Sequence, residues 1–169
     1  MEIRTANLSD LSAIYAIELE NFSSEEAIAQ EILARHIELF PSTFLVAEQD
    51  GQMLGFLEGP VGPERHLQDS SFTLSVEDYS AQSGGYISIT SLSVSKEAQK
   101  KGVGKQLLEA MKKIAIKDRR AGINLTCHDY LIPYYEKHGF INEGLSQSTY
   151  AGEIWYDMVW EPYLESTKI

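Results

Sequence analysis

Cysteine is almost absent from this sequence. Its 169 residues hold one, Cys127, so no disulfide can form within the chain, and a reducing compartment is the natural setting. Long apolar runs are missing too. None follows Met1, and none approaches the ~20 residues that a membrane-spanning helix needs. A cytoplasmic protein with no membrane partner is expected. Positive charge is scarce: 14 Lys and Arg stand against 25 Asp and Glu, a net charge of −11. That balance argues against nucleic acid as a partner. There is no internal repeat and no low-complexity tract. With 43% hydrophobic and 23% charged residues, what remains is enough for a real core in a single domain spanning 1–169.

The scarce positive charge is not spread evenly. Between Lys96 and Arg120 lie nine basic residues and three acidic ones, a basic island in an acidic chain. It surrounds Gln99-x-x-Gly102-x-Gly104, with Lys100, Lys101 and Lys105 bracketing the glycines. Upstream, Tyr86 to Val94 reads as a strand buried on both faces, with Ile87, Ile89, Ser91 and Ser93 on one side. Downstream, Leu107, Leu108, Met111, Ile114 and Ala115 share one helical face. Glycines permit a tight turn and close approach of a ligand, and a helix N-terminus offers free N–H groups and a positive dipole end. Strand, glycine turn and helix together make a phosphate cradle. A nucleotide-binding P-loop is excluded, because Gly104-Lys105 is followed by Gln106 and not Ser or Thr.

The rest of the chain reads as a mixed α/β layout, β-α-α-β-β-β-α-β-α-β-β. Ile3–Thr5 is a short strand. Asn7 to Asp10 cap a helix carrying Leu11, Ile14, Tyr15, Ile17 and Leu19. Ser23 or Ser24 should cap a second helix, with Glu25 and Glu26 in its first turn and Pro41 at its end. Asp50-Gly51 marks a hairpin between two strands. Residues 60–85 form a loop too long to be a bare turn, expected to hold some structure of its own or to cover a site. Gly122 should close the long helix. Ile123–Cys127 is a strand, Asp129 to Gly139 holds a short helix, and two antiparallel strands finish the fold.

Two motifs, Gln99-x-x-Gly102-x-Gly104 and Pro133-Tyr134-Tyr135-Glu136-Lys137-His138-Gly139-Phe140, make the chain resemble the GNAT superfamily of acetyl-CoA-dependent N-acetyltransferases. The resemblance covers nearly the whole chain. It implies a GNAT-like α/β domain, a mixed, largely antiparallel sheet flanked by helices. Within the superfamily the chain looks most similar to the arylalkylamine branch, through Leu125-x-Cys127-x-Asp129-x-Leu131-x-Pro133-Tyr134-Tyr135 and Glu18-x-Glu20-x-Phe22. The implied reaction moves an acetyl group from acetyl-CoA to the primary amine of a small molecule, with no metal. Alternatives are acetylation of a protein or peptide, or a catalytically silent acetyl-CoA sensor. Homodimerisation is left open.

The resemblance assigns the pyrophosphate to backbone N–H groups of Lys100, Lys101, Gly102, Val103, Gly104 and Lys105, and it counts Gln99 among the cofactor-binding residues. It assigns polarisation of the thioester carbonyl to the strand Leu92, Ser93 and Val94. Tyr135 matches the tyrosine that protonates the leaving thiolate, and Tyr134 reads as packing. The base is where this chain departs. The branch's histidine pair falls on Ser88 and Thr90, and the strand holds no glutamate. Those two residues could line a water relay, and His128 could reach the cleft as an alternative. Glu18, Glu20 and Phe22 could sit at the rim of the acceptor pocket, although solvated helix surface is the favoured reading of the two glutamates. Trp155 or Tyr156, but not both, should face inward. Cys127 reads as a small buried residue, and Glu97 as structural.

Overall fold

The computed structural model describes residues 1–163. Four helices carry the layout: α1 (Leu11–Asn21), α2 (Gln30–Leu39), α3 (Val103–Lys117) and α4 (Ile132–Lys137). The strands are β1 (Glu2–Thr5), β2 (Phe44–Gln49), β3 (Gln52–Glu58), β4 (Val61–Gly62), β5 (Tyr86–Ser88), β6 (Ser91–Val94), β7 (Gly122–Cys127), β8 (Ile141–Leu145) and β9 (Tyr156–Trp160). The Asp50-Gly51 hairpin joins β2 to β3 with both residues at positive φ, 53° and 78°, the backbone twist a two-residue hairpin needs. Among the described residues no helix is long and apolar enough to cross a membrane.

The strand expected over 86–94 is two strands in two sheets. One sheet runs β1-β2-β3-β6, all antiparallel. The other runs β4-β5-β7-β9-β8, with β5 and β7 parallel and the remaining pairs antiparallel. The change of partner happens at two residues. Ile89 N–H donates to Asn124 of β7 at 2.9 Å, and Thr90 N–H donates to Glu58 of β3 at 2.9 Å. Beyond that point the sheets diverge and β6 becomes an edge strand. Partner choice is tertiary, so the alternation of residues could not report it.

Two apolar clusters sandwich the first sheet. Ile14, Ile17, Leu33, Ile37 and Phe40 of α1 and α2 pack with Phe44, Val46 and Phe56 on one side. Leu107, Leu108, Met111 and Ala115 of α3 pack with Leu45, Ala47, Leu57, Ile87, Ile123 and Trp160 on the other. The expected capping residues close a single 3-10 turn, Leu8–Asp10, that leads into α1: the Asn7 side chain accepts from Ser9 N–H and Asp10 reaches back to Asn7 N–H, while α1 itself has no side-chain cap.

Three boundaries differ from the sequence reading. Helix α2 begins at Gln30, with Ala29 and no serine at its cap. Residues 23–28 instead fold down as a turn, because Ile28 is buried and gives its N–H to Glu18, and Glu26 binds His128. Helix α3 closes through Arg119, at φ 57°, and not through Gly122. Gly122 opens β7, where a Cβ would lie 2.1 Å from the Trp160 carbonyl oxygen. The helix after Asp129 has no side-chain cap and begins at Ile132.

Candidate functional site

Where the sheets part, a cavity of about 950 Å³ opens between β6, β7, the N-terminus of α3, α4 and the end of α1. Gly102 immediately precedes α3 as its N-cap, and its φ of 82° is a left-handed conformation that glycine adopts without strain. No side chain caps this end, and the N–H groups of Val103, Gly104 and Lys105 have no acceptor among the described residues. Three unsatisfied donors at a dipole's positive end, with Lys100 and Lys105 on the wall, form a site for an anion such as phosphate. A Cβ at Gly104 would lie 2.5 Å from the Tyr134 hydroxyl, so a side chain there would push that ring aside.

Strand β6 supplies the wall beside this cradle. Leu92 and Val94 line the cavity, and an edge strand leaves one row of its N–H groups without a neighbouring strand. The end of α1 is fixed to it. Asn21 Nδ2 donates to Ser93 Oγ at 2.8 Å and to Val94 O at 2.9 Å, and Gln99 Nε2 donates to Asn21 Oδ1 at 2.9 Å.

Tyr135 is buried and lines the cavity, wedged edge-on between Tyr134 and Phe140. Its hydroxyl has no hydrogen-bond partner among the described residues. Burial, with smaller contributions from Tyr134 and Cys127, pushes its pKa well above the usual tyrosine value, so it carries its proton at any working pH. Burial likewise pushes Cys127 up to about 12, keeping it a thiol.

The far end is aromatic. Phe22, Phe72, Tyr130, Tyr150 and Trp155 line it. Phe72, from the 60–85 loop, stacks on Tyr150 at 4.0 Å. His128 stacks against Trp155 at 4.3 Å, and its Nε2 donates to Glu26 Oε1 at 2.8 Å. Trp155 is the inward partner of the Trp155–Tyr156 pair.

Of the expected site residues, Thr90, Leu92, Val94, Gln99, Lys100, Gly102, Val103, Gly104, Lys105, His128, Tyr135 and Phe22 reach this one cavity. Four do not. Ser93 is buried against α1. Lys101 is exposed and off the wall. Glu20 lies at the surface, where it accepts from Lys96 N–H at 3.1 Å. Ser88 faces a separate cavity of about 270 Å³ under the 60–85 loop. A relay through Ser88 and Thr90 is therefore not assembled: Thr90 Oγ1 donates instead to Glu58 Oε1 at 2.5 Å, and Glu58 Oε2 meets His36 Nδ1 at 2.7 Å. Of the basic island, Lys112 is buried on the His138 carbonyl and Arg120 on the carbonyls of Ser80, Gln82 and Gly84.

Sequence reasoning missed Asn21, Glu58 and the burial of Glu18. Glu18 is 1% exposed, accepts from Ser91 Oγ at 2.6 Å and Ile28 N–H at 2.9 Å, and lines the cavity. Its position gives a signal: it stands four residues after Ile14 and one after Ile17, inside the buried stripe of α1.

The model of the acetyltransferase (GNAT) family matches residues 11–140. No curated protein matches the sequence. Among solved structures the chain is similar to Ard1 from Thermoplasma volcanium, at 18% identity, with 95% of this chain and 96% of that chain covered and a TM-score of 0.72. It is similar to the loading GNATL domain of CurA from Lyngbya majuscula, at 14% identity, 95% and 96% covered, TM-score 0.79. It is also similar to a ribosomal-protein-alanine N-acetyltransferase from Brucella melitensis, at 21% identity, 95% and 99% covered, TM-score 0.68. At such identities these likenesses speak to fold. The family match speaks to chemistry: this chain belongs to the GNAT acetyltransferase family, whose reaction is acyl transfer from an acyl-CoA.

Proposed function

We propose that this protein is an N-acetyltransferase that moves an acetyl group from acetyl-CoA to the primary amine of a small aromatic or apolar molecule. The observation that carries this reading is one cavity with two unlike ends, an uncapped helix N-terminus at one and an aromatic wall at the other. Val103, Gly104 and Lys105 N–H would hold the pyrophosphate, with Lys100 and Lys105 adding charge. The free N–H groups of β6 near Leu92 and Val94 would polarise the thioester oxygen as charge develops on it. Tyr135, kept protonated by burial, would give its proton to the departing thiolate.

The acceptor end supports a small aromatic molecule over a peptide, because Phe72 of the 60–85 loop stacks on Tyr150 and both line the cavity with Phe22 and Trp155. It also supports the arylalkylamine type, to which the aromatic lining is suited. The test is to incubate the protein with acetyl-CoA and either 2-phenylethylamine, an aliphatic diamine or a short peptide with a free N-terminus, and to read products by mass spectrometry. Acetylated 2-phenylethylamine is expected, with at least tenfold less product from the peptide. Preference for the peptide would move the assignment to protein acetylation. Binding of acetyl-CoA with no acetylated product would leave a sensor module.

A further inference from the structure

The 60–85 segment closes over the second cavity, of about 270 Å³, on the face of β5 turned away from α3. Side chains alternate along a strand. Ile87 packs into the α3 cluster, so Ser88 points the other way, toward the segment. Its register partner Asn124 shares that face and gives Nδ2 to the Glu64 and Arg65 carbonyls at 3.1 and 2.8 Å. Those two bonds hold the segment above the cavity.

Ser88 is 6% exposed and lines the cavity, and its hydroxyl has no hydrogen-bond partner among the described residues. Ser71, 9% exposed, lines the same cavity from the single turn Asp69–Phe72, its hydroxyl likewise unpartnered. Two largely buried hydroxyls thus offer their bonding capacity to whatever enters.

The rim is acidic. Glu64 and Glu77 are exposed residues on the wall, and among the described residues no Lys or Arg stands there. The Glu64 carboxylate has no hydrogen bond or ion pair among the described residues. Glu77 accepts only from the Tyr79 hydroxyl, at 2.9 Å. Both act on that hydroxyl, Glu77 through the bond and Glu64 through its charge, and raise its pKa. His66, also on the wall, gives Nε2–H to Glu143 at 2.7 Å and turns Nδ1 to Asp157 at 3.7 Å, so two carboxylates already match its ring.

Carboxylates only accept hydrogen bonds, whereas serine hydroxyls accept and donate. The complementary ligand carries positive charge and N–H donors. The cavity is at the small end of ligand pockets, which start at ~300 Å³, so the ligand has few heavy atoms. Calcium takes about six to eight oxygen ligands, and among the described residues no cluster of His, Cys, Asp and Glu is placed to hold a metal ion. We propose that this cavity is a second ligand site, separate from the acyl-transfer cavity, that takes a small aliphatic ammonium ion. Its N–H groups donate to Ser71 and Ser88, and Glu64 and Glu77 hold its charge at the rim.

The site adjoins the acceptor end. Ser71 is followed by Phe72, which faces the other cavity and stacks on Tyr150 at 4.0 Å. Asp69 of the same turn accepts from Ser148 Oγ and from Thr149 N–H at 3.2 Å, which ties the turn to the segment carrying Tyr150. One turn therefore presents a hydroxyl to one cavity and a ring to the other. An ion seated against Ser71 fixes that turn, and on the reading of the protein as an amine acetyltransferase it tunes acceptor binding through Phe72.

The test follows amide shifts by nitrogen-15 NMR as 1,4-diaminobutane, 1,4-butanediol or calcium chloride is added. It uses the wild type, Ser88→Val and the double variant Glu64→Gln/Glu77→Gln. The diamine should shift the amides of Ser71, Ser75, Glu77 and Ser88 and reach saturation, while the diol at the same concentrations leaves them in place. Ser88→Val replaces the hydroxyl with methyl groups inside the cavity and should abolish the response. The double variant alters only exposed side chains, so it keeps the test valid if Ser88→Val does not fold. It should weaken the diamine roughly tenfold, the scale of two screened ion pairs. Shifts confined to Phe22, His128 and Trp155 would put the diamine in the acyl-transfer cavity and overturn the second site. An equal response to the diol, or a tighter one to calcium, would overturn the ammonium class. The mapping needs no turnover, so a failure of amine acetylation leaves the site standing. Coupling is read separately: the diamine should change KM for 2-phenylethylamine at least ~2-fold in the wild type and not in the double variant, whose kcat without diamine is unchanged. The same KM change in both proteins is competition at the acceptor end and overturns the coupling.

Discussion

Tyr134 and Tyr135 are neighbours with different duties. Tyr135 presents an unpartnered, protonated hydroxyl to the cavity, whereas Tyr134 sets its hydroxyl against Gly104. Tyr135→Phe removes only the hydroxyl. It should lower kcat by roughly 10²-fold, the low end for general acid catalysis, with acetyl-CoA affinity unchanged by calorimetry. Gly104→Val should weaken acetyl-CoA by at least ~10-fold, about 1.4 kcal/mol, in a folded protein. Its side chain would displace Tyr134 as well as crowd the cradle, so the double variant with Tyr134→Phe separates the two effects. If the double variant recovers full affinity, the glycine serves only Tyr134. The sequence made these residues visible because glycines and the aromatic segment are local patterns. Glu18 was read as rim or solvent-facing because burial of an acid depends on what α1 packs against, although its place in the apolar stripe pointed inward.

At the scale of elements, α3 does two jobs that its lysines blur. Its N-terminal end faces the cavity with Lys100 and Lys105, while Lys112 and, just past the helix, Arg120 are consumed by the fold. Arg120 is 8% exposed and satisfies three carbonyls of the segment 80–84, so it fastens the end of the 60–85 loop to the body. Charged hydrogen bonds contribute about 1.5–3 kcal/mol each at most, and unsatisfied carbonyls add a cost. Arg120→Ala should therefore lower stability to denaturant by roughly 2–3 kcal/mol without changing acetyl-CoA affinity. Arg120→Lys should recover little, since one ammonium lacks the planar fork that spans several carbonyls. Charge counting found the island; only packing tells which of its members face a ligand. The same holds for β5 and β6. Their residues alternate as one strand, and the break at Ile89–Thr90 exists because β3 and β7 compete for the same backbone.

For the whole molecule, a buried acid at the site has a consequence for stability. The Glu18 pKa is raised to about 7 from an ordinary 4.5, so between those values the native state binds more protons than the unfolded chain. Stability must then fall as pH rises through this window. The opposite limb comes from Asp10 and Glu143, lowered chiefly by Arg4 and Arg65 respectively; their contribution is lost as pH falls below the ordinary carboxylate range. A melting temperature highest near pH 5 and lower at pH 8 is expected. Glu18→Gln should flatten the decline and melt above the wild type at pH 8, because the amide has no buried charge to form as pH rises. An unchanged slope in that variant would place the titrating group elsewhere. The layered α/β fold was legible from periodicity and the Asp50-Gly51 hairpin signal, while the expected caps at Ser23 or Ser24, Gly122 and Asp129 were not used; the cavity was not legible, because it arises where two sheets part.

The central claim is that one cavity holds acetyl-CoA at α3 and an aromatic amine at the other end. It is tested most directly by a bisubstrate adduct, 2-phenylethylamine joined through an acetyl linker to the sulfur of CoA, titrated by calorimetry against CoA alone. Joining two ligands that occupy adjoining parts of one site gains affinity by effective concentration, so the adduct should bind at least 10²-fold tighter than CoA, and Phe72→Ala should lose most of that gain. An adduct that binds no tighter than CoA would contradict the account.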